Sequence, residues 1–445
     1  MTTPEEPPPP PESEAPETSE EDVTVDEVTY RRRLLGMLSV ATFFEGYDTF
    51  VISLVLPLVL GDLGGTESQA GVIRAIVGVG AVLGFLLAAQ ADRIGRRRLL
   101  LVTIVGYTAA TVLTALSPNL AWLTVSQFLA QIFLAGEWAV AITMVVEEWP
   151  RDTRGRALGI VTSMNTLGGI FVGILAFLGL QNLGFDWRGF YLVGIVPLVV
   201  VGFARRGLRE TRRFTDARTL ESDRPLNRAN IGEPWRPQYR RTLVAVGLLH
   251  LFRFSAVSAA AFWWPFYAQR EVGMSLGTTG LYLAAAGVVG AGGFVVAGRV
   301  MDRWGRRPAF LLYCAGALVF GLALFQTHSP GLMLPFLCLA IFFGLGSAAI
   351  TSAFATEFFP TYVRGRAAAW CRNAFEIPGG ILGSLVVGVL GDHRTGPIGS
   401  IGDSMCLLLV VALVPALFLA LRHIVETRRA DLSRMDELAL MEARL

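Results

Sequence analysis

A few ionisable residues stand inside long apolar runs: the acids Glu45, Asp48, Glu137 and Glu376, the bases Arg74, Arg253 and Arg372, and His250. A charged group in a membrane span costs roughly 2.5 to 3.5 kcal/mol on insertion scales. Such groups are kept for function or for pairing. If each Arg takes an acid, one acid is left over, and burial disfavours its charged form. A carboxyl of that kind suits proton carriage.

Depth narrows the choice. Asp48 stands 14 residues beyond Leu34, about 21 Å along a helix, which is near mid-bilayer. Glu45 lies one turn earlier on the same face. Arg253 has a similar depth in its own run, with His250 on its face. Asp48 is expected to carry the proton, with Glu45 or Glu137 assisting, and Arg253 to attract an anionic group on the substrate. The alternative is that Glu45 and Asp48 pair with Arg253 and only fasten two helices. Arg372 and Glu376 are four residues apart and are expected to pair, as a gate or as a structural contact. Arg74 is expected to snorkel to the outer surface. The amides Gln127, Gln131 and Asn165 need partners that a cavity or helix interface would supply. The aromatic run Phe262 to Tyr267 is expected to form an interfacial belt, with Pro265 as a hinge.

The elements that position these groups are apolar runs. The chain has 445 residues, 53% hydrophobic and 17% charged, with a mean hydropathy of +0.52. Twelve runs approach or exceed the length that crosses a bilayer. They fall at 34–60, 69–90, 98–117, 120–146, 157–180, 187–204, 242–268, 276–299, 308–327, 331–356, 367–391 and 404–423. Arg clusters mark one side of the membrane, so both termini are expected to be cytoplasmic. The expected organisation is an acidic, Pro-rich disordered tail over 1–30, six helices over 31–204, a cytoplasmic linker over 205–241, six helices over 242–425 and a cytoplasmic tail over 426–445, able to form an amphipathic surface helix.

All 38 basic residues are Arg. Without lysine, a GxxxxGK[ST] phosphate loop or a Schiff-base lysine is impossible. The four cysteines lie in apolar runs without metal-ligand spacing. No cofactor, metal or nucleic acid is expected, and no nucleophile–base cluster marks an enzyme.

The two halves repeat. Asp92, Arg93, Gly95, Arg96 and Arg97 return as Asp302, Arg303, Gly305, Arg306 and Arg307, an offset of 210 residues. Glu147, Pro150, Arg154 and Gly155 return as Glu357, Pro360, Arg364 and Gly365 at the same offset. Gly95 and Gly305 permit a tight reversal between helices. The carboxylates of Asp92 and Asp302 are expected beside backbone N–H groups and an Arg fork, as a gate or latch; the alternative is a turn whose charges only set topology.

Twelve spans, two halves, a long central linker and the doubled D-R-x-G-R-R hinge resemble the major facilitator superfamily. Gly298 matches the family's Gly four residues before Asp302, while Ala88 replaces it in the first half. The E-x-x-P-x-x-x-R-G loops resemble those of sugar porters and metabolite:H+ symporters. Ala135-Gly136-Glu137-Trp138 resembles the G-E-[YW] stretch of metabolite and sialate symporters, and Glu45-Gly46-Tyr47-Asp48 resembles the D-G-[FY]-D stretch of aromatic-acid:H+ symporters. The resemblance implies an all-α membrane protein with twelve transmembrane helices in two pseudo-symmetric six-helix bundles. It also implies that the first, fourth, seventh and tenth spans enclose one space, bringing Glu45, Asp48, Glu137, His250 and Arg253 together. Two residues depart from the relatives: Gln127 stands where proton-coupled members carry Arg, and Glu376 where aromatic-acid symporters carry Arg. The expected activity is proton symport of a small organic metabolite, such as a carboxylate, by a monomer in the cell membrane. The alternatives are a proton-coupled exporter, a uniporter, or a sensor that binds ligand without moving it.

Overall fold

A computed structural model describes residues 25–88, 90–179, 186–196, 232–424 and 426. The chain runs α1 (Val25–Leu63), α2 (Glu67–Ala88), a short α3 (Ala91–Ile94), α4 (Arg96–Ala115), α5 (Leu120–Glu148), α6 (Arg151–Phe177) and α7 (Trp187–Val193). The second half runs α8 (Pro237–Arg270), α9 (Leu276–Trp304), α10 (Arg306–Gln326), α11 (Pro330–Glu357), α12 (Thr361–Trp370), a π-helical turn (Cys371–Glu376), α13 (Ile377–Gly391) and α14 (Ile401–His423). Among the described residues, 11 helices are long and apolar enough to cross a membrane. The sixth expected span, 187–204, is described only as far as residue 196, and most of the linker and the C-terminal tail lie outside the described residues.

Two boundaries differ from the sequence reading. Helix α1 already includes Val25, inside the expected tail. Helix α8 starts at Pro237, inside the expected linker, where proline suits the first helical position. Pro265 does not break α8, which continues to Arg270. The aromatic run is also not a belt. Trp263, Trp264, Phe266 and Tyr267 are at most 1% exposed. Trp263 Nε1 donates to the Ser384 carbonyl at 3.0 Å and the Tyr267 hydroxyl to the Thr327 carbonyl at 3.0 Å. Both contacts tie α8 into its own bundle.

The repeat is visible in packing. Gly95 and Gly305 have φ of 99° and 104°, a region open to glycine. Gly106 lies against the Phe133 ring, and Gly316 against Phe343 at the same offset. The halves meet where α2 packs on α13, α6 on α9 and α1 on α8. Gly173 and Gly280 face each other so closely that a side chain at either would strike backbone.

Candidate functional site

Between the halves lies a cavity of about 380 Å³, lined by Glu45 and Asp48 of α1, Arg74 of α2, Gln127, Gln131 and Trp138 of α5, Asn165 of α6 and Arg372 of the π turn. Asp48 is 7% exposed. Its Oδ2 accepts from the Thr111 hydroxyl at 3.4 Å, while its Oδ1 is buried without a partner. Gln127 Nε2 donates to the Thr114 hydroxyl at 3.1 Å, which fixes the amide on the cavity wall. Asp48, Glu45 and the two glutamines therefore line one space.

The cations differ from expectation. Arg253 and His250 are not among the cavity's lining residues. Arg253 Nη2 donates to Glu376 Oε1 at 3.3 Å, and His250 Nδ1 lies 2.7 Å from Glu376 Oε2. His250 Nε2 lies 3.1 Å from the Thr351 carbonyl. A carboxylate and a carbonyl both accept, so both ring nitrogens are satisfied only when a proton is shared between His250 and Glu376. These three residues form a separate cluster within the second half.

The expected Arg372–Glu376 pair is not formed. Ile377 N–H donates to the Arg372 carbonyl five residues back, the spacing of a π turn. Arg372 instead lies over the Trp138 ring, 4.3 Å from its centroid, and 5.3 Å from that of Phe85. Arg74 does not snorkel outward. It lines the cavity, 5.6 Å from the Phe262 centroid. The sequence placed both on membrane runs, but their facing depends on helix rotation, which spacing from the membrane edge does not reveal.

Glu137 is 2% exposed, and neither carboxylate oxygen has a hydrogen-bond partner. It lies outside the cavity lining. Burial without a partner is costly for a carboxylate and far less so for a carboxylic acid.

At the hinge ends, Arg96 Nη2 pairs with Glu147 at 3.0 Å and Arg306 Nη2 with Glu357 at 3.0 Å. Arg154 and Arg364 do not join these pairs; each reaches the carbonyl five residues back, of Trp149 and Phe359. The side chains of Asp92 and Arg93 lie outside the described residues. Asp302 does not occupy the helix start as expected. Its side chain is 80% exposed, 3.8 Å from Arg306. Glu426 takes that place, accepting from the backbone N–H of Arg306 at 2.8 Å and of Arg307 at 2.9 Å. A signal for Glu426 exists in the sequence: Glu426-Thr427-Arg428-Arg429 copies Glu210-Thr211-Arg212-Arg213.

At the opposite ends of the helices, the halves are fastened. Ser68 N–H donates to Asp392 Oδ2 at 3.1 Å, Gln269 Nε2 to the Leu54 carbonyl at 2.8 Å and Arg270 Nη2 to the Pro57 carbonyl at 2.8 Å.

The sequence matches the family model described as Major Facilitator Superfamily over residues 38–384. A protein of Cupriavidus pinatubonensis named "Probable 4-methylmuconolactone transporter" is 29% identical over 361 residues, covering 78% of this chain and 81% of its own. A sialic acid transporter of Escherichia coli is 25% identical over 372 residues, covering 83% and 88%. Among solved structures, a D-xylose-proton symporter superposes with a TM-score of 0.73 at 18% identity, covering 90% and 99%, a likeness of fold alone.

Proposed function

The chain belongs to the major facilitator superfamily, and from that premise we propose that it is a proton-coupled secondary transporter of a small organic carboxylate. It is a multi-pass membrane transporter and not an enzyme. The observation that carries the finer reading is the pairing of Asp48, with one oxygen unpartnered, and two arginines on the wall of one inter-half cavity. In this reading Asp48 takes the proton, with Glu45 beside it on the same face. Glu137 holds a second proton in the dry interior of the first half. The anionic end of the substrate goes to Arg372, with Arg74 as the second cation, since Arg253 is already engaged by Glu376. Gln127 and Gln131 offer amide donors and acceptors to the rest of the molecule.

The two halves then rock about the cavity, exposing it to either side in turn. The Arg96–Glu147 and Arg306–Glu357 pairs hold the hinge turns of each half as units during that motion. Both termini lie in the cytoplasm of the cell, and the monomer is the working unit.

The test uses proteoliposomes, an imposed inward proton gradient, and a panel of niacin, sialic acid and 4-methylmuconolactone, cargoes named for relatives. The wild type should accumulate a member of this acid panel with the gradient and not without it. Asp48→Asn should lose accumulation yet still exchange internal for external substrate. Undiminished gradient-driven uptake by Asp48→Asn would remove Asp48 from the proton role.

A further inference from the structure

Arg372 and Glu376 are four residues apart, a spacing at which an Arg and a carboxylate can meet, yet they are kept apart. Both oxygens of Glu376 are taken from the same side. Arg253 Nη2 donates to Oε1 at 3.3 Å, and His250 Nδ1 lies 2.7 Å from Oε2. His250 and Arg253 stand three residues apart on α8, so one face of that helix supplies both. Their side chains are 4% and 3% exposed. His250 Nε2 lies 3.1 Å from the Thr351 carbonyl, which ties this clamp to α11 as well.

Close packing sets the height of the clamp. A side chain on Gly247 would strike the Phe375 ring, one on Gly379 the Leu251 carbonyl, and one on Gly383 the Ser255 carbonyl. Positions 247, 251 and 255 of α8 thus meet 375, 379 and 383 in matching four-residue steps. In a close-packed interior, Glu376 cannot slide along α8 without driving one of these contacts into a clash.

Arg372, by contrast, is exposed, lines the central cavity and lies over Trp138 of the other half. Among the described residues it makes no hydrogen bond or ion pair. A carboxylate at liberty four residues away would change that. Tethered so closely, it would act at an effective concentration of roughly millimolar or above. A substrate carboxylate would then have to displace it.

We propose, on the reading that Arg372 takes the substrate's anionic end, that His250 and Arg253 are positioning residues. They hold Glu376 away from Arg372 and so keep the Arg372 guanidinium open to the anion. The clamp matters to binding only while Glu376 is there to be held. A merely structural clamp would matter with or without that carboxylate.

Phenylglyoxal modifies free guanidinium groups faster than ion-paired ones, so it reports the state of Arg372 without any substrate. The full-length protein would be treated with it in detergent micelles, and modification at Arg372 followed by mass spectrometry. His250→Leu with Arg253→Met removes both donors and frees Glu376. Modification of Arg372 should slow about tenfold, the factor that about 1.4 kcal/mol of pairing supplies. Adding Glu376→Gln should restore the wild-type rate. Each single variant should slow modification less and be rescued in the same way, which keeps the test decisive if the double variant does not fold. In proteoliposomes with an inward proton gradient, uptake is followed for whichever of niacin, sialic acid and 4-methylmuconolactone the wild type accumulates. KM should rise in the released variants with kcat little changed, and fall back once Glu376→Gln is added. Equal modification rates in the wild type and the released variants, or a slowing that Glu376→Gln does not reverse, would overturn the proposal. So would a wild-type KM in the released variants where Arg372→Gln raises it. An unchanged KM in Arg372→Gln itself would remove the anion-binding reading underneath, and the proposal with it.

Discussion

Arg253 Nη2 donates to Glu376 Oε1 across 3.3 Å, and both residues belong to the second half. Their side chains are 3% and 21% exposed. The contact makes Arg253 part of the bundle's own scaffold. Removing one partner of a buried pair leaves an uncompensated charge, at a cost of about 3 to 5 kcal/mol. Glu376→Gln and Arg253→Gln should each lower the midpoint of thermal unfolding in detergent. The double variant should lose less than the two single losses combined, because neither charge is then stranded. Strictly additive losses would mean that the two groups do not interact.

Arg372 and Trp138 sit on opposite halves, with the guanidinium 4.3 Å from the ring centroid. That geometry orients a planar cation toward the cavity. A charge-assisted hydrogen bond contributes roughly 1.5 to 3 kcal/mol, so Arg372→Gln should raise the KM for substrate uptake by at least about tenfold. Arg372→Lys keeps the charge and loses the flat stacking surface. Its KM should stay closer to that of Arg372→Gln than to the wild type. A wild-type KM in Arg372→Gln would take the anion-binding role away from this residue.

The scaffold was legible because it is written in properties that accumulate along the chain. Apolar run length marks the spans, Arg placement marks one side, and the 210-residue offset marks the repeat, down to the Gly95 and Gly305 turns. Depth puts Asp48 near mid-bilayer, and the sequence leaves Gln127 between a cavity and a helix interface; both line one cavity. Which acid meets which base was not legible. Arg253 and Asp48 share a depth, yet helix rotation turns Arg253 to Glu376 and away from Asp48. Arg372 and Glu376 stand four residues apart, yet Arg372 turns to Trp138 and Glu376 to Arg253 and His250, and no residue type in that stretch announces its π turn. The aromatic run on α8 read as a belt because composition does not distinguish a lipid-facing ring from one enclosed by neighbouring helices.

The contact between Asp392 and Ser68 joins the halves at the helix ends remote from the Gly95 and Gly305 turns. Burial opposes ionisation of Asp392, but the backbone N–H of Arg394, the Thr66 hydroxyl and the backbone N–H groups of Ser68 and Thr395 outweigh it and hold the carboxyl below its ordinary value. A lowered native value fixes the sign. The contact contributes fully above about pH 4, where a free aspartate already ionises, and its contribution fades as pH falls through the native value. With both termini inside the cell, as proposed, this end faces outward. Ala70 is fully buried nearby on the cavity wall, so Ala70→Cys reports its opening. An impermeant maleimide should label that cysteine slowly from pH 7 to pH 5, against a parent protein carrying the four native cysteines. Adding Asp392→Ala removes the acceptor, worth about 1 to 3 kcal/mol, and should speed labelling about tenfold or more throughout that range. Asp392→Asn keeps one acceptor oxygen and should fall between. Equal labelling rates in all three backgrounds would show that other contacts alone close this end.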